Sequence, residues 1–235
     1  TSSGVGINFK AGFIYRPIPV LRLGFAIHTP TYYDLDAYAN NNVSAKFTEL
    51  PVEDAKPTEK FEYGESAWTD YSYKLKTPWR LMASAATVLG QRAIISFDYE
   101  YVDYTTAKYS NDGAKNEYLE TNNAIKAIYK STHNFRAGAE YRFNSVFCLR
   151  GGYAYSASPY TKGEMNEKND IQTITGGLGL NFGVFYADLA YLHKNSKLNG
   201  LFYYYETSKG EVIESPEFQT KFKDNEFRLT LGIRF

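Results

Sequence analysis

Cysteine, methionine and tryptophan are nearly absent: the 235 residues hold one, two and two of them. A single cysteine, Cys148, excludes an internal disulfide framework and any cysteine-rich zinc site. Net charge is missing as well. Twenty-six basic residues offset 26 acidic ones, so no overall field draws the chain toward nucleic acid. No apolar run approaches the ~18–20 residues of a membrane-crossing helix, and the mean hydropathy is −0.44. That absence leaves membrane barrels open, because a barrel strand places apolar residues only at every second position. The histidines, His28, His133 and His193, fall in separate segments without ligand spacing, so no metal, cofactor or catalytic centre is expected. Gly151-Gly152 and Gly176-Gly177 sit inside strand-like runs rather than in a phosphate-cradling loop.

What is abundant is aromatic: 17% of the chain, with 22 Tyr and 16 Phe. These residues recur with period two. Val5, Ile7, Phe9, Ala11, Phe13 and Tyr15 share one face against Asn8, Lys10, Gly12 and Arg16. The same grammar runs through 21–28, 79–89, 92–104, 135–143, 147–155, 171–182, 185–194 and 227–235. Nine strands of about 10–12 residues result, near the ~9–11 that a tilted bilayer-spanning strand needs and about twice the usual globular length. Inward positions collect Lys10, Arg16, Arg22, His28, Arg80, Asp98, Glu100, Arg136, Glu140, Arg142, Arg150, Asp188, Arg228 and Arg234. An arginine on the lipid side at mid-membrane would cost about 2–4 kcal/mol, so these groups are expected to face an enclosed interior.

The connections alternate strictly between two kinds. Pro17-Ile18-Pro19, Gly90-Gln91, Asn144-Ser145 and Gly183-Val184 are tight reversals, whereas 34–66, 105–130, 158–170 and 196–224 are long and polar. Short turns on one side and long loops on the other are the arrangement of outer-membrane barrels. Aromatic residues near the strand ends fit an interfacial girdle. A short helix is expected within 116–130. The loop 34–66 holds eight acids and three lysines, a net −5, expected to be a solvated external loop. The fold expected is all-β, an antiparallel transmembrane β-barrel. Because closed bacterial barrels have an even number of strands, nine implies that residues 1–235 are the carboxy-terminal part of a larger single barrel.

Phe135–Tyr155 reads RAGAEYRF-NS-VFCLRGGYAYS after its first Phe, GINFKAGFIYRP and LRLGFAIHTPT stand near the start, and FRLTLGIRF ends the chain. In order and spacing these resemble the carboxy-terminal half of the FadL/TodX-type outer-membrane transporters of long-chain fatty acids and other hydrophobic compounds. The resemblance implies a fourteen-stranded barrel in the bacterial outer membrane, plugged by an amino-terminal hatch. This chain would supply the last nine strands, and the remainder of the barrel would be its partner. It implies passive uptake of hydrophobic or amphiphilic compounds, and no enzyme. A second reading is a non-transporting barrel that scaffolds a secretion or surface-protein partner. Expected partners are outer-membrane lipid and lipopolysaccharide, a hydrophobic small-molecule ligand, and no nucleic acid.

A ligand carboxylate needs an unpaired inward cation, for which Lys10 and then Arg136 are the candidates. Greasy external residues offer a capture surface: Tyr32, Tyr33, Trp68, Tyr71, Tyr73, Phe202 and Tyr203. Ile14, Met82, Val88 and Ile94 are apolar exceptions on the inward face.

Overall fold

A computed structural model describes residues 1–39, 42–48, 59–65, 69–90, 92–113, 117–207 and 210–233. Among these, nine strands form one antiparallel sheet, and each pairs with its successor: β1 (Lys10–Ile18), β2 (Leu21–His28), β3 (Arg80–Leu89), β4 (Ala93–Asp103), β5 (Ser131–Arg142), β6 (Phe147–Ser156), β7 (Ile171–Asn181), β8 (Phe185–Leu201) and β9 (Glu217–Ile233). The sheet is an open wall with β1 and β9 as its edges, and the described residues by themselves close no barrel.

Register fixes the two faces, since residues opposite each other in an antiparallel pair point the same way. One unbroken row crosses all nine strands: Ile14, Gly24, Ser84, Asp98, Arg136, Ala154, Thr173, Lys194 and Asp224. The alternate residues build an apolar face, with Phe13 against Phe25, Phe97 against Phe135 and Tyr191 against Phe227 at ring separations of 4.9–6.0 Å. The greasy band moves along the strands from one edge to the other. It centres on Phe13 in β1 but on Leu229 in β9, whose register partners in β8 and β7 are Leu189 and Leu178. Rows that slant across a band are what tilted, staggered strands produce.

This face is not buried by a second layer. Ala37, Val102 and Ile125 are the buried hydrophobics among the described residues. The accessible surface is 17590 Å², against about 10,700 Å² for a compact soluble chain of 26.7 kDa.

The turns follow from local chemistry. Asn144 Oδ1 accepts the N–H groups of Val146 and Phe147, both at 2.8 Å, closing the β5–β6 reversal. Gly183 at φ 82° closes the β7–β8 turn. The first reversal differs from expectation: Pro17 and Ile18 belong to β1, a register shift lies between Tyr15 and Ile18, and the turn falls at Pro19-Val20.

The long connections are also less loop-like than expected. Ser2–Ile7, Tyr32–Ala39, Thr69–Lys76 and Lys108–Ser110 form a separate four-stranded sheet, in that order. Each continues a wall strand, β1 to β4 respectively, across a crease. The crease consists of Asn8-Phe9, Thr29-Pro30-Thr31, Thr77-Pro78-Trp79 and a 3-10 turn at Tyr104–Thr106 followed by Ala107. Pro30 and Pro78 have no N–H to give to a ladder. Threonine hydroxyls fill the gaps: Thr29 Oγ1 accepts the Phe9 N–H at 2.9 Å and Thr77 Oγ1 accepts the Thr31 N–H at 2.8 Å. At the other edge β8 and β9 run 17 residues each and pair from Phe185 with Ile233 to Leu201 with Glu217, without interruption. The segments 34–66 and 196–224 thus contain strand where loop was expected, because strands that leave the apolar band keep their ladders while losing their alternation.

The expected helix is present as α1 (Leu119–Ile128), with Ile125 buried. Asn122 Nδ2 donates to the Tyr109 carbonyl at 2.9 Å and its Oδ1 accepts the Tyr109 N–H at 2.8 Å. One side-chain amide therefore caps the exposed edge of Lys108–Ser110, as another strand would.

Candidate functional site

The polar face carries two regions of contrasting chemistry. Toward the short turns lies a charged network. Glu140 accepts from Arg142 Nε and Arg150 Nε, both at 2.8 Å, and Arg150 reaches Asp188 at 2.5 Å. Arg150 sits on β6 and Asp188 on β8, so the bridge passes over β7. Glycine permits this. A Cβ at Gly179 would lie 2.8 Å from Asp188 Oδ1 and against Cys148 Sγ, and one at Gly177 would press on the β8 backbone. Cys148 belongs to this polar face, opposite Arg142 and Gly179. Every cation in this network has an acid, which makes it a wall brace rather than a ligand trap.

Farther from the turns is a cavity of about 570 Å³, lined on the polar face by Gly12, Ile14, Gly24, Ala26, Met82, Ser84, Asp98, Glu100, Asn134 and Arg136. Small residues of β1 to β3 make the hollow, because a row of Gly, Ala and Ser leaves the space that longer side chains would fill. Its polar rim is ordered. Asn134, buried, donates to Glu100 at 3.0 Å and accepts the Ala157 N–H at 3.1 Å, tying the 157–170 connection to the wall. That connection is self-supporting: Asp170 accepts the Ser158 N–H at 2.8 Å, and the Ser158 hydroxyl donates to the Asn166 carbonyl at 2.7 Å. Arg136 stands opposite Asp98 in register, yet among the described residues it has no ion pair or hydrogen bond. A free guanidinium beside an apolar hollow can take an anionic or hydrogen-bonding head while the hollow takes a chain.

Lys10 is placed elsewhere. Its row is Lys10, His28, Arg80, Val102 and Thr132, two rows nearer the external sheet than Arg136, and it does not line the cavity. The two headgroup candidates are therefore not brought together. Val102 and Thr132, each 1% exposed, close this row, and the Thr132 hydroxyl lacks a partner there. Ile14 and Met82 line the cavity, as inward apolar exceptions can.

The capture candidates divide among three places. Tyr33, Tyr71 and Tyr73 share one face of the external sheet. Tyr71, Tyr73, Tyr109 and Tyr118 form a chain of rings spaced 5.7–5.9 Å that leads to α1. Burial there raises the Tyr118 phenol above its ordinary value, with the Glu117 carboxylate adding to it. Tyr32 lies on the opposite face, under the Lys76 ammonium. Phe202 packs on Phe218 at 4.6 Å and Tyr203 near Tyr205, both on the β8–β9 connection. Trp68 and the inward candidate Arg234 lie outside the described residues. Sequence reading missed the glycines that let Arg150 bridge β7; the signal available was their alternation, at 177 and 179, on the face that carries the charges.

Residues 1–181 match the family model described as outer membrane protein transport protein (OMPP1/FadL/TodX). The chain belongs to this family. The FadL/TodX proteins are outer-membrane transport proteins rather than an enzyme family. The wall also superimposes on solved structures. One is a Pseudomonas aeruginosa FadL homologue, at TM-score 0.53 and 10% identity, covering 99% of this chain and 68% of that one. Another is the Pseudomonas putida toluene transporter TodX, at TM-score 0.51 and 13% identity, covering 99% of this chain and 50% of that one. At such identities the likeness concerns the fold. The chain spans about two thirds of the first structure and half of the second. No curated protein matches it in sequence.

Proposed function

We propose that this chain forms the carboxy-terminal wall of a fourteen-stranded outer-membrane channel for passive uptake of amphiphilic compounds, with long-chain fatty acids as the substrate class. The observation that carries the reading is the Arg136 guanidinium, unpaired among the described residues, beside a hollow floored by Gly12, Gly24, Ala26 and Ser84. Asp98 across from it weakens the local positive potential. A carboxylate must therefore engage the guanidinium directly, in its two-pronged geometry, to outweigh that acid. The chain of the ligand would rest on Ile14 and Met82. The edge strands β1 and β9, each with one free ladder, would pair with the amino-terminal strands of the same barrel.

The test is binding of laurate by titration calorimetry to the purified protein, alongside its methyl ester. Arg136→Gln is expected to weaken laurate about tenfold and leave the ester unchanged, whereas Lys10→Gln changes neither. Equal binding of laurate by wild type and Arg136→Gln would overturn the headgroup assignment.

A further inference from the structure

The external sheet carries a second cluster of cations, outside the cavity and independent of the uptake reading. Register aligns Ile7, Tyr32, Lys76 and Lys108 in one row, and Val5, Asp34, Lys74 and Ser110 in the next. Lys76 and Lys108 thus stand directly opposite each other, and like charges so placed destabilise a sheet. Lys74 is neutralised by Asp112 at 2.5 Å, and Asp34 faces it across the ladder. Among the described residues Lys76 meets only the Tyr32 ring, 5.9 Å from its Nζ. Neither Lys76 nor Lys108 has an ion pair among the described residues. These rows border a concavity of about 450 Å³, whose other side is Val5 and Ile7, 75% and 74% exposed. A repulsive pair retained beside an open apolar surface needs an anion between its two members and an apolar body next to it.

Height and side identify that anion. Lys76 immediately precedes the crease residue Thr77, and Lys108 immediately follows Ala107, so both flank the crease that carries Trp79 and Tyr104. Interfacial aromatic rings mark the depth of lipid headgroups. Lys10 and Ile7 are three residues apart in the first strand, while the matched positions His28 and Tyr32, and Arg80 and Lys76, are four apart. The extra residue is a bulge in the second and third strands, which reverses their alternation and leaves that of the first unchanged. Ile7 therefore continues the apolar face of Phe9 and Phe13, and Lys76 and Lys108 stand on that outer side. The opposite face is the one joined to α1 by its chain of tyrosines.

We propose that Lys76 and Lys108 together bind the phosphate of an outer-leaflet lipid, whose acyl part lies against the apolar face. A phosphomonoester carries close to two negative charges and so matches two ammonium groups, where a carboxylate matches one. Native mass spectrometry of the full chain in detergent tests this, with bis-phosphorylated lipid A, its dephosphorylated form and laurate as probes. The wild type is expected to retain the phosphorylated lipid at least tenfold better than the other two. Lys76→Gln with Lys108→Gln should lose that preference, Lys76→Arg with Lys108→Arg should keep it, and Lys221→Gln with Lys223→Gln should leave it unchanged. A heat-induced gel shift identical to wild type establishes that each variant is folded. Equal retention of phosphorylated and dephosphorylated lipid, undiminished binding by the double glutamine variant, or laurate competing as well as the phosphorylated lipid would each overturn the proposal.

Discussion

Strands β1 to β4 and strands β8 and β9 leave the apolar band in opposite ways. The first group breaks at a crease and restarts as a second sheet, while the second runs 17 residues without interruption. Proline accounts for much of the contrast. Pro30 and Pro78 occupy the crease, whereas no proline falls within β8 or β9. The ladder is interrupted at residues lacking an N–H, and the crease is then held by Thr29 and Thr77, whose hydroxyls supply substitute acceptors. An uninterrupted pair braces one edge of the wall. A creased group carries cavities on both sides of the fold line.

The contrast breaks most completely if proline is moved into the uninterrupted half. Leu192 lies between β7 and β9, so its N–H serves one ladder or the other. Leu192→Pro should cost about 3 kcal/mol or more inside a bilayer, where no water replaces the lost bond, and urea unfolding in vesicles measures it. Next comes the brace. Glu140→Gln removes the acid shared by Arg142 and Arg150 and should cost about 1–3 kcal/mol before solvent screening, by the same assay. Smaller again is Thr77→Val, which orphans the Thr31 N–H for about 1 kcal/mol. Its signature is faster hydrogen exchange at Thr31 with β8 and β9 unaffected. Smallest is Pro78→Ala, expected to cost about 0.4–1 kcal/mol through a freer unfolded chain and to leave the crease in place, since the threonine bonds remain.

The sequence made the wall legible because period two survives wherever one face meets lipid and the other does not. Phe147, Leu149 and Tyr153 against Cys148, Arg150 and Ala154 can be read directly, and the structure places them on opposite faces. Beyond the band that contrast ends. Ser196, Lys197 and Asn199 are polar on both sides, so the outer half of β8 reads as loop although its ladder continues. The crease was visible in Pro30 and Pro78 but needed pairing to interpret, because a break in one strand means little until its neighbours break at the same level. Arg136 could be named as an inward cation. That it is unpaired among the described residues and sits beside a hollow, while Arg150 is doubly paired, depends on which residues three strands away are small, and no local pattern reports that.

The central claim is that the greasy rows meet hydrocarbon and the charged rows meet an enclosed polar interior. Spin labels placed singly from residue 147 to residue 156, in a Cys148→Ser background and in lipid vesicles, test it most directly. The account predicts oxygen accessibility peaking at 147, 149, 151, 153 and 155, with a polar nickel relaxant peaking at the positions between. Accessibility to the nickel reagent at both sets alike, or a buried signal at the odd positions, would contradict it.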